Sequence, residues 1–230
     1  MSGPSVVISS LWRNDISKHI VDRAEHLLSK VHDGPVRWVW VVGDSTDDTE
    51  DQLQTIAARS GKDVTIIRHD TNIVGDDPDT RMRRLCETGN AALDDVRESD
   101  DRWIIHESDL QSPVTLIEQF LATGKDVIAG WVTLGDAFYD LFGYTVEGRM
   151  FQSQLPYDPV YLADRPFQVD TVGSCFMFPA AELRAGCRFK TRGVRDLCWQ
   201  MKAHGRTVWV DPRIPIVQPT ELWQPQGMPQ

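Results

Sequence analysis

Apolar positions along this chain alternate between two periods. "SVVISSL" (5–11) is a short apolar run of the kind a buried strand needs. Behind Asn14 and Asp15, both good helix-capping types, Ile16, Ile20, Val21, Ala24, Leu27, Leu28 and Val31 recur at helical spacing. "VRWVWVV" (36–42), rich in β-branched and aromatic residues, predicts a second strand. "DSTDDTEDQLQTIAARSG" then predicts a helix ended by Gly61, and "DVTIIRH" a third strand. After the polar connection "DTNIVGDDPDT", a helix carries Met82, Leu85, Gly89, Leu93 and Val96 on one face. "DRWIIHESD" reads as a fourth strand, Pro113 as the first turn of the next helix, and "DVIAGWV" as a fifth strand.

Strands and helices in this rhythm predict an α/β fold, a mostly parallel, doubly wound sheet with helices on both faces. Ligands of such sheets sit beyond the carboxyl ends of the strands. Past Trp131 the rhythm breaks, and 133–170 is rich in aromatics and turn residues without a helical period. "VGSCFMF" predicts another strand, "GVRDLCWQMKAHG" a helix closed by Gly205, and "RTVWVDP" a late strand. No internal repeat is visible. The expected organisation is one domain over 1–217, with a nucleotide-binding half followed by a more variable half, and a Pro- and Gln-rich tail at 218–230.

The candidate chemistry sits where those strands should end. Asp44 follows an apolar strand, while Asp47, Asp48, Glu50 and Asp51 crowd the next helix start, where the helix dipole favours acids. So much negative charge repels a diphosphate, so this turn suits a base or ribose, with Asp44 accepting a hydrogen bond. Arg81 and Arg84, three apart at a helix start, share a face. They suit phosphate oxygens, or simply balance an acidic surface. Glu107 and Asp109 alternate at the end of the fourth strand, so an extended backbone would point both the same way. Two neighbouring acids repel each other unless a cation or proton intervenes, and Mg²⁺ and Mn²⁺ prefer carboxylate oxygen.

Together these motifs resemble the GT-A glycosyltransferases, especially the family-2-like group and its Anp1-type relatives. "VVGDSTDDT" is similar to their "VDDGSTDDT" turn, one residue shorter, and "RMRRLCETGNAAL" to their Arg/Asn-containing helix. "HESD" falls where their DxD metal motif lies, with glutamate for the first aspartate. "VGSCFMFPAAELRAGCRF" resembles the acceptor-side segment, and "GVRDLCWQMKAHGRTVWVDP" the "xEDxDLxxRxxxxGxxxxxxP" pattern. The likeness spans about residues 5–217 and implies a nucleotide-sugar-binding half at 1–110 and an acceptor-side half at 111–217. It implies a sugar donated from a nucleoside diphosphate sugar, a UDP-sugar favoured, to an acceptor hydroxyl, with Mn²⁺ or Mg²⁺ as cofactor. Ser10, Asp44, Arg81, Arg84 and Asp109 would serve donor binding, with Asp44 at the base and the arginines near the diphosphate. Asp109, with Glu107, would hold the metal. Asp196 matches the catalytic base of inverting members, although Arg195 stands where they carry glutamate. No histidine follows His204 to act as the late metal ligand, and Gln218 occupies roughly that place. The six histidines, His106 included, read as structural.

Charge and cysteine usage narrow the setting. A formal net charge of −10 and an acidic pI near 5.0 weigh against a protein that coats nucleic acid. They lower, without removing, the standing of a hydroxymethylated base of viral DNA as the acceptor. No apolar run approaches a membrane span, and the N-terminus lacks the basic region of a signal peptide. Cys86, Cys175, Cys187 and Cys198 are scattered without a CxxC pair, as expected of free thiols in a reducing cytoplasm. Two rival chemistries remain open. A sugar nucleotidyltransferase would carry a glycine-rich loop after the first strand, which "SSLWRND" lacks, and a catalytically silent sugar-nucleotide module would not require Glu107, Asp109 and Asp196.

Overall fold

The computed structural model describes residues 3–13, 19–75, 77–135, 137–138, 143–150 and 164–219. Its centre is a nine-stranded sheet ordered β3-β2-β1-β4-β10-β5-β11-β9, with β6 paired to β5. The first four strands are β1 (Val6–Trp12), β2 (Val36–Val42), β3 (Asp63–Arg68) and β4 (Arg102–His106), all parallel. β10 (Cys175–Pro179) runs antiparallel between β4 and β5 (Val127–Leu134). β11 (Val208–Val217) lies parallel to β5, and β9 (Phe167–Val169) closes that edge antiparallel. The small strands β6 (Ala137–Phe138), β7 (Thr145–Val146) and β8 (Arg149–Met150) occupy the stretch in which the sequence shows no helical period.

Side chains of a strand alternate between faces, so each central strand feeds two cores. Val7, Val39, Val41 and Trp103 join one apolar cluster, which takes in Cys86 and Leu93 of α3 (Pro78–Leu93) and Leu197, Cys198 and Met201 of α6 (Val194–Ala203). Val6, Ile8, Trp38, Trp40 and Ile104 join the other, under α1 (Ile20–Leu28), α2 (Thr49–Ser60) and α4 (Leu116–Ala122). The α/β architecture read from the sequence is therefore present, with helices on both faces. All four cysteines are buried free thiols. No helix among the described residues is long and apolar enough to cross a membrane.

Local chemistry explains the boundaries of α2 and the start of α3. Asp47 Oδ1 accepts from Thr49 N and Oγ1 at the start of α2, and Gly61 ends that helix in the left-handed region at φ 65. Asp77 caps α3 by accepting from Asp79 N and Thr80 N, with Pro78 at the first helical position. Gly89 admits the Phe189 ring, because a Cβ there would lie 2.5 Å from Phe189 Cε2. Asn90 locks the same contact by exchanging amide hydrogen bonds with the Phe189 backbone.

Three details differ from the expectation. Pro113 does not open α4: Leu116 N donates to Pro113 O, so a turn precedes a helix that begins at Leu116. β11, which includes Pro212 and Pro215, continues beyond "RTVWVDP" to Val217, because its register shifts between Asp211 and Pro215 and a bulge tolerates the missing donors. The expected caps Asn14 and Asp15, with Ile16, lie outside the described residues. Gln218 and Pro219 are buried, Gln218 N donating to Thr133 O at 2.7 Å, so the chain is still docked there; the rest of the expected tail, 220–230, is outside the described residues.

Candidate active site

The parallel strands end on one edge, and Asp44, Glu107 and Asp109 directly follow strands that end there. Asp44 lies two residues past β2 with φ 50, a left-handed conformation that aspartate tolerates better than most residues. Its carboxylate accepts from Thr71 N and Thr71 Oγ1, both at 2.8 Å, while its own N–H donates to Asp70 Oδ1. Arg68, the last residue of β3, donates to both Asp70 oxygens, to Glu50 and to the Ser45 carbonyl. Hydrogen bonding to Arg68 holds the Asp70 carboxyl below the usual carboxylate range. The acidic turn is thus tied to the end of β3 by a network that sequence reading missed. Its trace in the sequence is "RHDT", a polar cluster directly after an apolar strand.

Ser10 sits 2% exposed in β1, and its hydroxyl donates to the His106 carbonyl at 2.7 Å, tying β1 to β4. Arg81 and Arg84 fall in the opening turns of α3, Arg81 exposed and Arg84 half-buried, with Arg84 reaching the Gly75 carbonyl at 2.9 Å.

The acids after β4 are not in extended structure, and this corrects the alternating-strand argument. β4 stops at His106, and Leu110 N donates to Glu107 O, so Glu107–Leu110 is a turn. Four bonds fix it: Glu107 N to Ser174 O, Ser108 Oγ to Leu11 O at 2.6 Å, His106 Nδ1 to Glu107 O at 2.8 Å, and the turn bond itself. Both acids are half-buried and stay at the carboxyl end of β4. Gln111 and Val217 pair backbone to backbone just beyond, which brings Gln218 beside this turn. Gln218 is 1% exposed, and its amide oxygen has no hydrogen-bond partner among the described residues. Carboxylate and amide oxygens are the donors a hard cation takes, and the chain brings Glu107, Asp109 and Gln218 to this part of the fold.

Asp196 lies in the first turn of α6, which starts against α3: a Cβ on Gly193 would be 3.2 Å from Met82 Sδ. Its Oδ2 accepts from Arg192 N at 2.6 Å, a local cap of the helix start. Leu197 and Met201 are fully buried and anchor the helix. Trp199 does not; it is 38% exposed, with the guanidinium groups of Arg192 and Arg195 over its ring.

Behind the turn lies a buried basic chain. Lys30 is 2% exposed; its Nζ bonds to His26 Nε2 at 2.8 Å and donates to Ser112 O at 2.9 Å, and Ser112 Oγ meets His106 Nε2 at 2.8 Å. Burial, then the Lys30 charge, lowers His26 to about 4; burial lowers His106 to about 3 and Lys30 to about 8. A histidine kept neutral in the fold but charged when unfolded binds fewer protons folded. Stability is therefore lost as pH falls from about 6.5 towards the folded values, by at most about 1.4 kcal/mol per pH unit per histidine, and less for part-exposed His26 through solvent screening. Urea unfolding should give a lower midpoint at pH 5 than at pH 7, and His26→Gln should flatten that dependence. Equal midpoints would refute the assignment.

Two solved structures share this fold along nearly the whole chain. S. aureus TarS (residues 1–349) in complex with UDP-GlcNAc is 16% identical at a TM-score of 0.59, over 98% of this chain and 60% of that one. The mannosyltransferase PcManGT from Pyrobaculum calidifontis, in complex with GDP-Man and Mn²⁺, is 14% identical at a TM-score of 0.63, over 97% of this chain and 58% of that one. This chain therefore spans about three-fifths of the length of these relatives. No protein-family model and no curated protein matches the chain. At such identities the likeness establishes the architecture, which is the GT-A fold.

Proposed function

We propose that the chain is a metal-dependent glycosyltransferase that moves a sugar from a nucleoside diphosphate sugar to an acceptor hydroxyl. The observation that carries this reading is the pair of acids in the Glu107–Leu110 turn at the carboxyl edge, next to which the Gln111–Val217 pairing brings the backbone of Gln218. Neighbours of the same fold bind UDP-GlcNAc in one case and GDP-Man with Mn²⁺ in the other, which supports this class of donor and ion. Asp109, with Glu107 and Gln218, would hold Mn²⁺ or Mg²⁺, and the bound ion would neutralise the leaving diphosphate. Arg81 and Arg84 add positive charge at the start of α3. Asp44, set by Thr71, would accept from the base, with a UDP-sugar the favoured donor. Asp196 would take the proton of the acceptor hydroxyl.

Incubation with a panel of nucleotide sugars, scored for nucleoside diphosphate release with and without EDTA, tests the proposal. Metal-dependent release from one donor class is expected, since such enzymes slowly hydrolyse their donor without an acceptor. No release from any donor, together with no nucleoside diphosphate binding by calorimetry, would refute it.

The same reading gives a prediction for Asp44. Leaving a base N–H unpaired costs about 1–3 kcal/mol, so Asp44→Ala should weaken nucleoside diphosphate binding roughly 5- to 150-fold in calorimetry. Thr71→Val removes one of the bonds that steady Asp44 and should cost less. Unchanged affinity in Asp44→Ala would leave this carboxylate only the role of holding Thr71.

A further inference from the structure

The amino-terminal edge of the sheet, opposite the candidate active site, carries a second cluster of ligating side chains. β10 ends at Pro179 across from Arg102, the first residue of β4, so the short helix α5 (Ala181–Arg184) starts at that edge. Gly186, at φ 93, turns the chain back, and Cys187 N donates to Glu182 O at 3.0 Å, which sets the two side chains together. His204 caps the far end of α6, its N–H donating to the Gln200 and Met201 carbonyls. Cys187 Sγ lies 3.7 Å from His204 Nδ1 and 3.9 Å from Glu182 Oε2, and those last two atoms are 2.7 Å apart. Among the described residues this is the one group of three His, Cys, Asp or Glu ligand atoms lying within 4.8 Å of one another.

We infer that Glu182, Cys187 and His204 form a Zn²⁺ site that pins the β10–α5 segment to the end of α6. The donor set selects the metal: one thiolate, one imidazole and one carboxylate suit Zn²⁺, whereas Mg²⁺ and Mn²⁺ take oxygen. The spacing is close to what the ion needs. Usual zinc bond lengths put tetrahedral ligand atoms roughly 3.4–3.6 Å apart, so the sulfur contacts close slightly and the Nδ1–Oε2 contact opens. Charge also balances, because a carboxylate and a thiolate neutralise the dication. The thiol proton goes to solvent on binding, and no redox step is involved.

The surroundings orient the ligands as an outer shell should. Arg206 Nε donates to Glu182 Oε1 at 2.7 Å, and its Nη1 to Asp126 at 3.1 Å, which turns the other carboxylate oxygen towards Cys187 and His204. Arg188 fixes the loop by donating to the Leu183 and Cys187 carbonyls. Glu182 and Cys187 are buried, while the His204 side chain is 44% exposed, so the ion has an entrance and a fourth position for water.

Cobalt substitution tests this on the whole protein. Co²⁺ added to metal-free protein should give a thiolate-to-cobalt charge-transfer band and the intense visible bands of tetrahedral coordination, and Zn²⁺ should displace both. Cys187→Ser should abolish the charge-transfer band and His204→Ala should reduce it. Cys86→Ser, which changes a thiol on α3, and Asp109→Asn should each leave it intact. Because a variant can misfold, Zn²⁺ is also titrated into the unaltered protein, where it should raise the Tm more than Mg²⁺ does. Absence of the charge-transfer band in the unaltered protein, its survival in Cys187→Ser, or its loss in Asp109→Asn would overturn the inference.

Discussion

Asp109→Asn should abolish Mn²⁺- or Mg²⁺-dependent turnover while leaving the Tm unchanged. The turn that carries Asp109 is held by bonds from Glu107 N, Ser108 Oγ, Leu110 N and the His106 ring, and none of these uses the Asp109 carboxylate. The amide variant keeps those four bonds and loses a negative oxygen donor. A Lewis-acid ion contributes several kcal/mol to a transition state with developing charge, and each 1.36 kcal/mol is a factor of ten. A loss of at least about 10³-fold follows if the ion no longer binds productively. Glu107→Gln should do less, as expected of a residue that meets the ion through water. The measurement is donor turnover against metal concentration, with thermal melting alongside. Full activity of Asp109→Asn at saturating donor and metal would remove the metal from this turn.

Asp196→Asn should slow turnover about 10²- to 10⁴-fold, the usual cost of losing a general base, with little change in melting. Asp196 already has a structural task, because its Oδ2 accepts from Arg192 N at the start of α6. An asparagine oxygen can accept the same bond, so the helix start survives. An amide cannot take a proton from an acceptor hydroxyl, so the two roles separate in one variant. Stereochemistry gives an independent check. Direct displacement by a hydroxyl that Asp196 deprotonates must invert the anomeric centre, which NMR of the product reads directly. Retention of configuration, or near-normal turnover in the asparagine variant, would leave Asp196 as a cap alone.

The first five strands were legible because each is a short apolar run bounded by turn residues, and period-2 burial then sorts their side chains into two cores. The position of β10 was not legible. "VGSCFMF" announces a strand, but nothing in an apolar run says that it enters antiparallel between β4 and β5, because that pairing is set by partners more than 40 residues away in sequence. The acids at the strand ends were visible as residues, and their geometry was not. Glu107 and Asp109 look alternating, yet the turn bond from Leu110 and the ring of His106 override the extended backbone. Arg68, Asp70 and Thr71 escaped notice because side-chain bonds between two loops leave no periodic trace. The Glu182–Cys187–His204 cluster escaped for a similar reason: its spacing matches no familiar metal motif, and only the folding of α5 onto the end of α6 assembles it.

The antiparallel seat of β10 bears on how this fold can be divided or recombined. A cut near Leu110, between the two expected halves, would cross the hydrogen bonds that join β4 to β10. The far edge of β4 is completed by residues 175–179, so a fragment ending at Leu110 would expose the backbone of Arg102–His106 as an open, apolar sheet edge prone to sticking to other chains. Glu107 would also lose the Ser174 carbonyl that its N–H binds. A chimaera that exchanges the first half for that of a relative must therefore carry β10 with it. In this protein the unit of exchange is a discontinuous stretch of chain, and the Glu107–Leu110 turn belongs to both sides of the cut.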